Sequence, residues 1–300
     1  MKYSLKQIEV FIATANFQNI TLAAEALNMS QSAASESLKN LESQFDIKLF
    51  DRAGKRLQLN DFGRLIRKQA ETLIDQAKSL ELSLQQNQLS ADLNIGATLS
   101  IGNYLAIHIL SEFKGKFPTA KAALSVGNTT KITEQVANFE LDVGLIEGEV
   151  SHPDLNIRPW MDDELVVFCD PKSELSTLSY VSDQQLSKAK WILREAGSGT
   201  RQAFDNAMQG VLHELNIELE LQHTEAIKRA VESGMGIGCL SKVTLNDAFK
   251  RSSLIALKTP QRDFKRKFYI ITHKDKYLSP GIRNWLELCF EYAELHNTYS

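Results

Sequence analysis

TLAAEALNMSQSAASESLKNLE, residues 21–42, decides the fold of the amino-terminal part of this chain. Thr21 is placed to N-cap a short helix, LAAEALN, whose Ala23, Ala24 and Ala26 are small enough for a neighbouring helix to cross closely. Asn28 and Met29 read as a tight turn. Ser30 then caps a further helix, in which Ala34, Leu38, Leu41 and Phe45 recur as one apolar stripe while Gln31, Ser32, Ser35 and Lys39 face away. Two helices of this length joined by so short a turn make the helix-turn-helix pattern. In it, the polar face of the second helix enters the major groove and its first turn lies nearest the base edges. Gln31 suits a bidentate contact to adenine; Ser32 and Ser35 suit bases or phosphates. The plain alternative is a helical hairpin whose polar face is merely solvated.

Upstream, Leu5, Ile8, Ile12 and Ala15 recur at helical spacing until Asn16–Ile20 breaks the pattern. Downstream, Ile47–Phe50 and Leu57–Leu59 read as short strands around DRAGKR, a wing whose Arg52, Lys55 and Arg56 are placed for phosphates or a minor groove. Residues 1–62 hold seven Lys or Arg (2, 6, 39, 48, 52, 55, 56) and seven Asp or Glu (9, 25, 36, 42, 46, 51, 61). A neutral head must bind through focused charge and a second copy. Asn60 can cap a long helix to about Leu89, with Ile66, Ala70, Leu73, Ala77, Leu80 and Leu84 spaced 4, 3, 4, 3, 4. That is a coiled-coil seam over nearly three heptads, which would pair two heads for two half-sites. The other reading is a helix packed on its own chain.

The whole chain, 300 residues with 43% hydrophobic and 24% charged, has the composition of a globular protein large enough for two or three cores. Its net charge of -3 does not announce a nucleic-acid binder, so that claim rests on motif and local charge. Cys169, Cys239 and Cys289 lie far apart without CxxC or Cys/His spacing, which indicates neither a disulfide framework nor a zinc site and predicts small core residues in a reducing cytosol. MKYSLKQIEVFIATA is interrupted by Lys6, Gln7 and Glu9 and is not a signal peptide. No apolar run reaches eighteen residues, so no membrane span is expected.

Past QQNQLSAD (residues 85–92), which reads as a hinge, strand and helix alternate. LNIGAT, AALSVG, LDVGLIEG, LNIRPW, DELVVFCD, WILRE, IELELQ, MGIGCL, LIALK and KFYIIT read as strands, with a last helix from about Pro280. This alternation predicts parallel, doubly wound sheets with ligand sites beyond the carboxyl ends of the strands. Three of those ends are polar: Thr98 and Ser100 after NIGA, Glu147 in LIEG, and Ser198, Gly199, Thr200 and Arg201 after WILREA. Backbone donors at helix starts, hydroxyls and Arg201 suit a compact oxyanion. Glu147 repels an anion unless protonated or paired, which a ligand carrying a proton, such as bisulfite, would ease. Each of these sites alone is more often plain capping.

GMGIGCL contains GxGxG but precedes a strand, outside any dinucleotide-site context. The six histidines are scattered, and His108, at an apolar helical position, is expected in the core. No nucleophile, base and orienting residue occur together, so the sequence does not read as an enzyme, and neither a metal nor a cofactor is expected. A solute-binding protein of a transporter is opposed by the missing signal peptide and the winged head.

LKQIEVFIATA, TLAAEALNMSQSAASESLKNLE, IKLFDRAGKRLQLNDFG, LDVGLIEGE and VESGMGIGCLS resemble the LysR-type transcriptional regulators over essentially the whole length. IGNY, LSVGN, DELVVF, WILREAGSGTR and EAIKRAVESGMGIGCLS look like the YeiE-like branch of that family, related to its CysB-like members. The resemblance implies an α/β protein: a winged helix-turn-helix (residues 1–60), a dimerising linker helix (61–89) and a two-subdomain effector domain (90–300) built like a type 2 periplasmic binding protein. Subdomain I would take about 91–161 and 267–300, and subdomain II about 162–266. It further implies a cytoplasmic homotetramer on double-stranded operator DNA, with a small anionic effector in the cleft. Thr98, Ser100 and GSGTR match the family's cleft positions. Glu147 matches the YeiE-like IEG, where CysB-like members carry a hydroxyl, and this favours sulfite over sulfate or an acylated serine; a phosphorylated sugar is a further candidate. Many members carry Arg just after the recognition-helix serine where this chain has Glu36.

Overall fold

Helix α1 (Leu5–Phe17) starts at a capping box, with Ser4 and Gln7 each accepting from the other's backbone N–H, and ends where Gln18 turns left-handed at φ 50°. Helix α2 (Ile20–Ala26) begins two residues earlier than Thr21 would set it. Its cap is Asn19, whose Oδ1 accepts from the N–H groups of Thr21 and Leu22 at 2.8 and 3.3 Å; Thr21 sits exposed in the first turn. Asn28 makes the turn at φ 53°, and Ser30 caps α3 (Gln31–Phe45) by accepting from Ala33 N–H at 3.2 Å. Phe11, Ala24, Ala34, Leu38, Leu41 and Leu49 close one small core. Phe45, expected on that stripe, is 44% exposed with its ring 6.3 Å from that of Tyr3.

The computed structural model describes residues 2–53, 56–84 and 93–297. It divides into two units, Met1–Gln88 with Asp275–Pro280, and Leu89–Lys274 with Gly281–Ser300. In the first unit the wing is β1 (Phe50–Ala53) paired antiparallel with β2 (Arg56–Leu59), Phe50 opposite Leu59. A strand over Ile47–Phe50 does not form. The Ile47 N–H donates to the Glu42 carbonyl and the Leu49 N–H to the Glu42 carboxylate, which ties that backbone to the end of α3. Helix α4 (Asp61–Leu84) is capped by Asn60, whose Oδ1 accepts from Gly63 N–H at 2.7 Å.

The expected seam on α4 is altered by its own head. Ala70 and Ile74 are buried in the head core and Ile66 and Leu73 pack against it, so half of the 3,4-spaced stripe is already covered. Among the described side chains of α4, the large apolar ones left in solvent are Phe62, Leu65 and Leu80. Phe62 and Leu65 border a groove of about 960 Å³ that also takes in Tyr3, Phe45 and Ile47. The Leu84 side chain and the tract 85–92 lie outside the described residues.

The second unit runs β3 (Leu93–Thr98), α5 (Leu99–Ile101), a π turn at Gly102–Ala106, α6 (Ile107–Lys116), β4 (Ala122–Gly127), α7 (Thr129–Ala137), β5 (Val143–Glu147) and β6 (Leu155–Cys169). It continues through α8 (Asp183–Lys188), β7 (Lys190–Arg194), α9 (Gly199–Ala207), β8 (Asn216–Leu221), α10 (Thr224–Glu232), β9 (Ile237–Ser241), α11 (Lys242–Lys250), β10 (Ile255–Ala256), β11 (Lys265–His273) and α12 (Pro280–Asn297). Strand order is β4-β3-β5-β11-β6-β9-β7-β8, with β10 on β6. LNIRPW and DELVVFC, read as two strands, are one 15-residue strand. Its first ten residues pair with β11 and Leu165–Phe168 pair with β9, so β6 and β11 carry the chain between two lobes. Both run antiparallel to their neighbours; the doubly wound parallel pairing is confined to β3–β4–β5 and β7–β8–β9.

In the second lobe Trp191 and Leu193 on one face of β7 pack with Phe204 and Met208 of the α9 segment, while Ile192 on the other face packs with Ile227 and Val231 of α10. The period-2 alternation of the strand thus separates two cores. The three cysteines are buried. His108 is exposed instead of buried, because the π turn just before it shifts the helical phase that the spacing assumed.

Candidate DNA-reading face and effector cleft

On α3, Gln31, Ser32, Glu36 and Lys39 are exposed and Ser35 half-buried; Ser32, Glu36 and Lys39 lie away from the Ala34 and Leu38 side, while Gln31 is exposed at the first turn. Gln31 Nε2 donates to Ser35 Oγ at 2.9 Å, and Ser32 Oγ lies 3.0 Å from Ser30 Oγ, so the first turn holds its polar tips together. Arg56 is exposed at the start of β2. Lys55 and the side chain of Arg52 lie outside the described residues.

The expected cleft residues stand at the carboxyl ends of strands. Thr98 ends β3, Ser100 follows in the next turn, Glu147 ends β5, and Ser198, Gly199 and Thr200 open α9; all are buried. Thr98 and Ser198 occupy N-cap positions, yet neither side chain caps its helix, and Thr98 Oγ1 and Ser198 Oγ are buried without any hydrogen-bond partner. A hydroxyl in that position ordinarily satisfies an orphan N–H of the first turn.

Thr129, at the start of α7, joins the strand ends. Its Oγ1 donates to the Glu147 carbonyl at 2.7 Å and accepts from Gly199 N–H at 3.0 Å. A Cβ on Gly199 would lie 1.8 Å from the Glu147 carbonyl oxygen, so only glycine allows α9 to start there. Gly197 (φ +84°) and Gly148 (φ +88°) hold the flanking turns in the left-handed region.

Glu147 is paired. Its Oε2 accepts from Arg266 Nη2 at 2.6 Å; Arg266 Nε donates to Asp163 at 2.7 Å and Nη1 to Thr200 Oγ1 at 3.1 Å, while Ser241 Oγ donates to Asp163 at 2.7 Å. Glu147, Asp163 and Arg266 are 1, 2 and 5% exposed in their side chains. Burial raises the Asp163 carboxyl above its ordinary range, opposed by the Arg266 charge.

Arg201, the cation of GSGTR, is already paired within its own lobe. Its guanidinium is held by Asp205 at 2.9 Å, Glu220 at 2.6 Å and the Arg194 carbonyl at 3.1 Å. The i, i+4 partner Asp205 is visible in the sequence, but Glu220 comes from β8 and only tertiary structure places it. Arg266 and Asp163 were not expected either. They come from the two lobe-crossing strands, and the only trace in the sequence is a charged residue at an alternate position of KRKFYIIT. A third set, Tyr104, Glu225 and Lys228, joins the lobes: Tyr104 Oη donates to Glu225 at 2.7 Å and accepts from Lys228 Nζ at 3.2 Å, and Lys228 also meets Glu225 and the Thr244 carbonyl. Burial and the Glu225 carboxylate raise the Tyr104 phenol, keeping it a donor.

Among the described residues no group of three His, Cys, Asp or Glu side chains could hold a metal ion, and no helix is long and apolar enough to cross a membrane. A winged reading head followed by a two-lobed domain with a polar cleft is the architecture of a ligand-responsive DNA-binding regulator. Residues 86–294 match the LysR substrate binding domain and residues 5–64 the bacterial regulatory helix-turn-helix of the lysR family, and the chain belongs to the LysR family of transcriptional regulators. It is 37% identical over 289 residues to the HTH-type transcriptional regulator YeiE of Escherichia coli strain K12, covering 96% of this chain and 98% of that one. It superposes on full-length OxyR of Pseudomonas aeruginosa with a TM-score of 0.73, at 21% identity over 97% of this chain and 98% of that one. The regulatory domain of CcmR from Synechocystis PCC6803, solved in complex with 2-PG, matches with a TM-score of 0.62 at 30% identity, covering 68% of this chain and 97% of that domain. The chain is thus a DNA-binding regulator with an effector-binding domain, not an enzyme.

Proposed function

We propose that this regulator takes sulfite in the cleft of its effector domain and changes its operator binding in response. The observation that carries the reading is the pair of buried hydroxyls, Thr98 and Ser198, that satisfy neither their own helix starts nor any other group. Donors left over at the ends of strands, beside Ser100 and Thr200, suit a compact oxyanion. The neighbouring Glu147–Arg266–Asp163 cluster holds two carboxylates against one guanidinium. An anion that carries a proton near neutral pH fits beside that negative balance better than sulfate, which carries none. Binding biases the two lobes toward one arrangement, and so the spacing of the reading heads.

The reading head binds double-stranded DNA as a dimer, with the partner's linker helix laid against Phe62, Leu65 and Leu80, and dimers pair into a cytoplasmic homotetramer. Gln31, Ser32, Ser35 and Lys39 face the major groove while Arg52, Lys55 and Arg56 meet the backbone, and Glu36 reduces nonspecific attraction. Calorimetric titration of the full chain with sulfite, beside sulfate, phosphate and O-acetylserine, tests the effector. Sulfite-selective heat and a sulfite-dependent change in operator footprint are expected. Silence with sulfite alongside binding of another of these anions refutes sulfite.

A further inference from the structure

We infer that the anion is gripped at the first turn of α10 by Arg194 and Thr224, a subsite separate from the GSGTR turn; this rests on the reading that the cleft takes an anion.

The cations around the cleft differ in what they already hold. Arg266 donates to Glu147, Asp163 and Thr200; Arg201 to Asp205, Glu220 and a carbonyl; Lys228 to Glu225, Tyr104 and the Thr244 carbonyl. Arg194 is different. Its Nε and Nη2 donate to Glu195 at 2.8 and 3.0 Å, while Nη1 is buried without a partner on a residue only 1% exposed. A guanidinium carries five N–H donors in a rigid fork, and here one arm of the fork is unfilled.

The fold says where that arm lies. Arg194 is the last residue of β7 and shares a face with Ile192, which packs against Ile227 and Val231 of α10. β7 and β8 are parallel, and α10 follows β8, so the first turn of α10 stands over the carboxyl ends of both strands. In that turn Thr224 is 2% exposed with Oγ1 unpartnered, and the N-cap, His223, makes no side-chain cap. The Tyr104–Glu225 hydrogen bond sets this turn opposite the segment from Thr98 to Tyr104 in the other lobe, where Thr98 Oγ1 is a further buried hydroxyl without a partner. A guanidinium arm, two hydroxyls and the positive end of a nine-residue helix match a tetrahedral or pyramidal oxyanion. Glu195, turned toward Arg194 and also accepting from Asn128 Nδ2 at 3.2 Å, leaves the subsite less than fully positive, which suits a small anion of low charge.

The test is calorimetry on the full chain with sulfite, sulfate and phosphate, for the unmodified protein, Thr224→Val, Arg194→Lys and Ser198→Ala, with thermal melting to establish folding. Thr224→Val keeps the shape and removes one charge-assisted hydrogen bond, and it carries the test if Arg194→Lys does not fold. The expected result is affinity for the bound anion lower by about tenfold to a hundredfold in Thr224→Val, with Arg194→Lys at least as damaging when folded. If the unmodified chain binds an anion and Thr224→Val binds it equally while Ser198→Ala loses it, the subsite is overturned and the cleft reading stands. If the unmodified chain binds none of the three anions, the cleft reading fails and the subsite with it.

Discussion

Replacing Arg266 with methionine removes the one cation that lies between Glu147 and Asp163. Breaking a buried ion pair from one side costs about 3–5 kcal/mol because it strands the other charge, and here two carboxylates, 1 and 2% exposed, are stranded together. For a domain of this size, each kcal/mol lowers the melting midpoint by about 2–4 °C, so the variant should melt roughly 6–20 °C below the parent at pH 7. The deficit depends on pH in a definite direction. Burial already raises the Asp163 carboxyl and Arg266 lowers it, so losing Arg266 raises it further. A carboxyl whose folded pKa lies above its unfolded value binds more protons in the folded state. Its contribution is fully present below the unfolded value of about 3.9 and is lost as pH rises through the folded one. The gap between variant and parent should therefore narrow from pH 7 to pH 5, and adding Glu147→Gln should recover part of it at pH 7. Calorimetric melting of the three proteins at both pH values reads this directly. A drop of under about 3 °C at pH 7, or one that widens at pH 5, would refute the account of the cluster.

Gly199→Ala forces a Cβ to within 1.8 Å of the Glu147 carbonyl oxygen; a cost of about 1–3 kcal/mol, seen as a lower midpoint together with weakened effector binding, is expected, and an unchanged melt would contradict the close approach. Asn19→Ala removes the cap of α2 and should destabilise the head by about 1 kcal/mol, measured by urea unfolding, whereas Thr21→Ala should be nearly neutral. Gln31→Ala should relax base preference by about 1–3 kcal/mol if it reads adenine; an unchanged footprint and affinity would remove it from the contact face. Leu65→Glu with Leu80→Glu should give monomers in sedimentation, and persistent dimers would place the interface elsewhere.

Local spacing was sufficient for the two crossing helices of the reading head, though not for the cap of α2 or the start of the wing. Ala23, Ala24, the Asn28 turn and the Ser30 cap specify two short crossing helices within some twenty residues, and capping and periodicity act over distances that a sequence displays. The same holds for the strand ends that present Thr98, Glu147 and Ser198–Thr200, since hydrophobic runs followed by Gly and hydroxyl residues mark where a strand yields to a helix. Tertiary structure alone decided which charges meet. Arg201 looked available and is held by Glu220 from the neighbouring strand; Glu147 looked isolated and is held by Arg266, 119 residues away, on a strand running against it. Likewise α4 carries a heptad-like stripe, but its own head covers Ala70 and Ile74 and leaves Phe62, Leu65 and Leu80 outward. Spacing records which face of an element is apolar. What that face or a charged side chain touches is set by the long-range pairing of strands and the packing of helices, where Coulomb attraction and burial act between residues distant in the chain.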